Sequence, residues 1–145
     1  MEVRIVKKPR KPTKNSLSVL NQMCKLVPPY LVAKLANRHG VDKKARSFTP
    51  WSHLVTLLFA HLSHASSLND TCDAIKSHRT LFTRIRGAIT PSKNTLSHAN
   101  RNRNPRMAEE LFWTLLDRFQ KTSPRFGGHT FKGMPRRFKR AVYAI

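Results

Sequence analysis

The chain has 145 residues, enough for one domain with a modest core and some tail. Lys and Arg total 28 against 7 Asp and Glu, a formal charge of +21, with 39% of residues hydrophobic. Such a chain folds in large part, but its surface repels itself unless a polyanion neutralises it, and nucleic acid is the usual one.

An anionic membrane is the competing partner. It would need an apolar span of about 20 residues or a basic amphipathic helix with a bulky apolar face. The apolar stretch Trp51 to Leu62 is too short and is interrupted by His53, Thr56 and His61, so it reads as a buried helix. Met1-Glu2-Val3-Arg4 runs directly into a basic, Pro-containing segment with no apolar h-region, so no secretory signal is expected. Cys24 and Cys72 are far apart and lack a CxxC neighbour, which favours reduced core thiols over a disulfide or a metal site.

Residues 1–15 form a basic arm (Arg4, Lys7, Lys8, Arg10, Lys11, Lys14) in which Pro9 and Pro12 oppose helix. It reads as a disordered tail that can lie along phosphates. Ser16 is an expected N-cap for a helix through Leu17, Leu20, Cys24 and Val27, stopped by Pro28 and Pro29. Pro29 equally opens a second helix with Tyr30, Leu31, Ala33 and Leu35, which ends at Gly40. Asp42 to Arg46 reads as a polar loop. Thr49 and Pro50 then start the strongest helix, with Trp51, Leu54, Val55, Leu58, Phe59 and Leu62 at 3.6-residue spacing. Burying those six side chains contributes on the order of 1.5–3 kcal/mol each.

Ser67 opens a further helix with Leu68, Cys72 and Ile75 inward, and a short basic segment carries Leu81, Phe82 and Ile85. Gly87 and Thr90-Pro91 make a turn, and Ser92 caps a helix running to about Arg103, broken by Pro105. A last amphipathic helix uses Met107, Leu111, Phe112, Leu115, Leu116 and Phe119; it starts acidic and ends basic, as the helix dipole favours. Residues 121–145 have linker composition, with a basic cluster at Arg136, Arg137, Lys139 and Arg140. They finish in Ala141-Val142-Tyr143-Ala144-Ile145, the pattern of a buried strand with nothing to pair with. The expected fold is therefore all-α: a helical domain over 16–120, a basic arm before it, and an orphan strand that suggests a following α/β domain.

Helix, turn and helix between residues 67 and 104 fit a helix-turn-helix-like unit. Taken at 100° per residue, the helix after Ser92 places Leu96, Ala99 and Arg103 on one side and Asn94, Ser97, His98 and Arg101 on the other. No Asp or Glu lies between Lys76 and Arg106, so nothing there repels a duplex. Ordinary solvated helices mix both charge signs. Lys93, Asn94, Ser97, His98, Arg101 and Arg103 are accordingly the expected DNA-contacting residues. The histidines near one another, His53, His61 and His64, have no carboxylate or cysteine at ligand spacing, so no metal is expected. The seven carboxylates sit where caps, loops and exposed faces use them, and no nucleophile has a basic partner.

Several stretches together resemble a known family. Arg46-Ser47-Phe48-Thr49-Pro50-Trp51-Ser52-His53-Leu54-Val55, Ser67-Leu68-Asn69-Asp70, Pro91-Ser92-Lys93-Asn94-Thr95-Leu96-Ser97-His98-Ala99-Asn100-Arg101 and Glu109-Glu110-Leu111-Phe112 resemble, in order, the N-terminal helical domain of insertion-sequence-four-type transposases. Phe138 to Ile145 resembles the strand leading to that family's first catalytic aspartate. The resemblance implies an RNase-H-like domain whose Asp-Asp-Glu triad holds two divalent metals, Mg or Mn, for phosphoryl transfer. Its first aspartate would follow Ile145, so no triad residue maps onto this chain, and the chain alone is expected to be no enzyme and to carry no cofactor. It implies recognition of double-stranded transposon ends by the helix containing Asn94 to Arg101, in a cytoplasmic, nucleoid-associated protein. A homodimer or association with full-length transposase are the protein partners left open. A stand-alone basic DNA- or RNA-binding protein, or an inhibitory partner of the intact enzyme, are the alternative readings.

Overall fold

A computed structural model describes residues 14–43 and 45–123, and among these the chain is all-helical. Most of the basic arm and residues 124–145, including the expected strand, lie outside the described residues. The helices are α1 (Lys14–Leu26), α2 (Pro29–Arg38), α3 (Pro50–Ser63), α4 (Leu68–Lys76), α5 (Arg79–Thr83), α6 (Lys93–Asn102) and α7 (Arg106–Thr122). The chain divides into two compact units, Met1–Asn104 and Pro105–Ile145.

Local chemistry explains most boundaries. Helix α1 starts at Lys14, so Ser16 lies inside it instead of capping it. Pro28 precedes α2, whose first residue is Pro29. A left-handed Gly40 (φ 64°) closes α2: Gly40 N donates to Asn37 O at 3.2 Å and Val41 N to Ala36 O at 2.8 Å, the paired bonds of a Schellman ending. Thr49, Ser67 and Ser92 each accept a backbone N–H through the side chain at the start of α3, α4 and α6.

In the first unit α3 is central, packing on α1, α2 and α4, and α4 in turn holds α5 and α6. The main core joins Leu20 and Cys24 of α1, Val55 and Phe59 of α3, Ile75 of α4, and Phe82, Ile85 and Ala88 from α5 onward. Phe59 meets Phe82 edge to face, with ring centroids 6.4 Å apart. A smaller cluster of Phe48, Cys72, Leu96 and Ala99, with Leu68 against it, fastens α6 to α4. Helices α4 and α6, from which a helix-turn-helix-like unit is expected, are in contact, with the short α5 between them in sequence.

The inward stripe of α3 is shifted from the one hydropathy suggests. Ser52, Val55, Thr56 and Phe59 are buried, whereas Trp51, Leu58 and Leu62 are only partly so. The two hydroxyls tolerate burial because both are bonded: Thr56 Oγ1 donates to Ser52 O at 2.7 Å, and Ser52 Oγ accepts from Ile89 N at 2.9 Å. In α5, Phe82 is fully buried and its neighbour Leu81 is 43% exposed, so Leu81 is not the core residue its hydropathy suggests. Both cysteines are free and buried. Burial pushes the Cys24 thiol up to about 11 against the opposing effect of Arg86, and burial likewise raises Cys72.

In the second unit, Met107, Leu111 and Leu116 are buried on α7, while Phe112 is 44% exposed and stacks edge to face on Trp113. Lys121 donates to Asp117 at 2.7 Å on its outer surface. No described helix is long and apolar enough to cross a membrane.

Phe82→Ala is expected to cost about 3–5 kcal/mol in urea denaturation followed by circular dichroism, because it empties a fully enclosed site. Leu81→Ala is expected to change stability by less than about 1 kcal/mol. A similar loss for both would contradict the burial phase of α5.

Candidate nucleic-acid interface

Helix α6 has few apolar anchors. Only Leu96 and Ala99 are buried, so hydrophobic burial alone fixes it weakly, and polar groups supply the rest. On the side facing α3, the His53 ring donates from Nε2 to Asn100 Oδ1 at 2.7 Å. At the C-terminal end, the Arg103 guanidinium lies over the Phe48 ring, 5.2 Å from its centroid, and donates to Phe48 O and to Thr49 O, the latter at 3.4 Å. The segment entering α6 is fixed by the Ile89 N–H on Ser52 Oγ.

The preceding turn is held in the same way. Trp51 Nε1 donates to Ile85 O at 3.0 Å, and the Arg86 guanidinium lies 4.7 Å over the Trp51 ring. The same guanidinium donates to Cys24 O and Val27 O, at 2.9 and 2.8 Å, at the end of α1, where the helix dipole concentrates negative charge. Arg86 and Gly87 are consecutive left-handed residues, with φ of 50° and 69°. Glycine adopts that conformation freely. For an arginine it costs about 1–2 kcal/mol, which the guanidinium contacts offset.

The six residues expected to touch DNA are therefore not equivalent. Lys93, Asn94 and Arg101 are exposed, and Ser97 is half-buried beside them. His98 is exposed and lines a cleft of about 600 Å³ between α6 and the loop joining α2 to α3. Arg103 follows α6 at its C-cap and faces inward, bracing the helix through the Phe48 and Thr49 carbonyls; burial lowers its pKa from the ordinary arginine value. The wheel had already placed Arg103 beside Leu96 and Ala99, and that placement is the signal for its bracing role.

Sequence reading passed over four contributors. Thr95 and Asn102 line the same cleft from α6, and Lys43 and Arg46 line it from the α2–α3 loop. The loop cations were visible as sequence, but nothing local indicates that a helix some fifty residues later lies opposite them. Among the described residues, no three His, Cys, Asp or Glu side chains gather where a metal ion could be held.

These elements mostly fall inside one region of known sequence type. Residues 15–84 match the family model described as a domain of unknown function, DUF4372. The DUF4372 match takes in nearly all of α1 and the whole of α2 to α5, including the Phe48–His53 segment that fixes α6, and ends before α6 itself. No curated protein and no solved structure matches the chain.

His53 supplies a pH test of how α6 is held. Burial lowers its pKa below the ordinary 6.5, reinforced by the Arg103 charge and opposed by the Asn100 hydrogen bond. Between the lowered folded value and 6.5 the unfolded chain binds more protons than the folded one. This contribution to stability is therefore full above 6.5 and is lost as pH falls through that window. Thermal melts of the parent chain are expected to drop more steeply between about pH 7.5 and about pH 5 than those of His53→Gln. Parallel pH profiles would show that His53 does not carry the effect.

Proposed function

We propose that the chain binds double-stranded DNA through the open face of α6, as the end-recognising N-terminal part of a transposase. One observation carries this reading. Asn94 and Arg101 stand exposed on a helix within a segment, Ala74 to Ala108, that contains no Asp or Glu and many cations. A carboxylate-free face bearing planar hydrogen-bonding groups is suited to a groove: arginine pairs bidentately with guanine and asparagine with adenine. The formal charge of +21 supplies the nonspecific attraction. The ordered resemblance to insertion-sequence-four-type transposases supports the same assignment. So does the DUF4372 match, a domain found in transposase-like proteins.

The division of labour follows from the contacts. Asn94, Ser97 and Arg101, flanked by Lys93, read base edges or adjacent phosphates, while Arg103 and Asn100 keep the helix at a fixed angle to α3. In the transposases that the chain resembles, phosphoryl transfer belongs to an Asp-Asp-Glu domain with divalent metal as its cofactor.

The test is a binding titration of the full chain on a duplex carrying the element end and on a scrambled duplex, with structured RNA as competitor. Asn94→Ala combined with Arg101→Ala is expected to weaken specific binding about tenfold or more and scrambled binding far less, since a good base contact contributes about 1–3 kcal/mol of discrimination. Neutralising the cations between residues 4 and 14 is expected to weaken both duplexes equally and to flatten the salt dependence. Equal or tighter binding to structured RNA would overturn the transposon-end reading, as would metal-dependent DNA cleavage by the chain itself.

A further inference from the structure

We propose that the cleft beside α6 is a seat for the sugar–phosphate backbone of the duplex whose groove α6 enters, with Lys43, Arg46 and His98 holding the phosphate. The assignment rests on the DNA-binding reading above and adds to it a second contact site, from a different part of the chain.

The cleft encloses about 600 Å³ and lies wholly within the first compact unit. The α2–α3 loop forms one wall, where Lys43 and Arg46 are exposed; α6 forms the other, where His98 is exposed. Phe48 and Ala99, both buried, lie at its base. Among the described residues no carboxylate lines it, although Asp42 occurs in the same loop. Lys43, Arg46 and His98, gathered around one concavity over Phe48 and Ala99, focus positive potential on an anion more strongly than the same groups spread over open surface. Arg103 also lines the cleft and adds charge there, while Nη1 and Nη2 of its guanidinium donate to the Thr49 and Phe48 carbonyls.

Position gives the second argument. His98 and Arg101 are three residues apart and so are neighbours on α6, which sets the cleft immediately beside the open face. A helix in a groove has a phosphate backbone along its flank, and phosphate contacts of this kind fix register without reading sequence. The cleft accordingly sets where α6 sits, and the open face sets which bases it meets.

The experiment compares Lys43→Ala/Arg46→Ala with Lys25→Ala/Lys34→Ala, an equal charge loss at exposed positions of α1 and α2. Each variant of the 145-residue chain is titrated against the element-end duplex and the scrambled duplex over a range of salt concentrations, after circular dichroism has shown the parent melting temperature. The cleft variant is expected to lose about tenfold or more on both duplexes in the same proportion. Its log–log salt slope should fall by roughly one to two, since each phosphate contact contributes about 0.9. The control is expected to change much less. If the two variants behave alike, the cleft is not a phosphate seat. If the cleft variant loses discrimination between the duplexes, the cleft reads bases and the proposal fails in that form. A parent chain that ignores both duplexes removes the DNA-binding reading and the cleft with it. Loss of specificity on Asn94→Ala/Arg101→Ala, with a cleft variant indistinguishable from its control, leaves the reading standing and removes the cleft alone.

Discussion

The first unit is organised by the segment entering α3. From Phe48 to His53, all but one residue is bonded to or packed on a different stretch of chain. Phe48 packs under α6 and its carbonyl receives Arg103; Thr49 caps α3 and offers a second carbonyl to the same guanidinium. Pro50, the exception, supplies the helical φ of the first turn and needs no N–H partner there. Trp51 holds Ile85, Ser52 holds Ile89, and His53 holds Asn100. A fully buried hydroxyl such as that of Ser52 is costly unless bonded, so its demand for a partner fixes the chain at Ile89 as firmly as apolar packing would.

This arrangement compensates for the small apolar area of α6. A face free of carboxylates and rich in amides and cations suits a phosphate-lined groove, but it leaves little apolar area for anchoring. Leu96 and Ala99 bury only a narrow strip, and Ala99 contributes a single methyl group. Directional bonds from the α3 entry make up the difference without placing hydrophobic bulk on the open side. Arg86 performs a related function one turn earlier, joining the end of α1 to the Trp51 ring.

Cations in this protein therefore serve two purposes that composition alone does not separate. Arg86 and Arg103 are used internally, on backbone carbonyls and aromatic rings. Lys43, Arg46, Lys93 and Arg101 are exposed, and it is to these that the proposed DNA contacts are assigned. Charge neutralisation by a duplex would relieve the self-repulsion of the second group while leaving the first in place.

The sequence by itself determined the helical class and the principal caps, because Thr49, Ser67 and Ser92 precede periodic segments and their hydroxyls act on N–H groups only three residues away. It determined the buried state of both cysteines and the carboxylate-free stretch, which are matters of composition and spacing. Tertiary structure decided what depends on partners distant in the chain. It turned Ser52 and Thr56 inward because Ile89 and a neighbouring carbonyl satisfied them, and left Leu81 and Phe112 exposed although both are as apolar as their buried neighbours. It also drew Arg103 onto Phe48 and Thr49, more than fifty residues away, and set the α2–α3 loop opposite α6 to form a cleft. Hydrophobic period reports only which side of an element is apolar; which neighbour covers that side is settled when the elements meet.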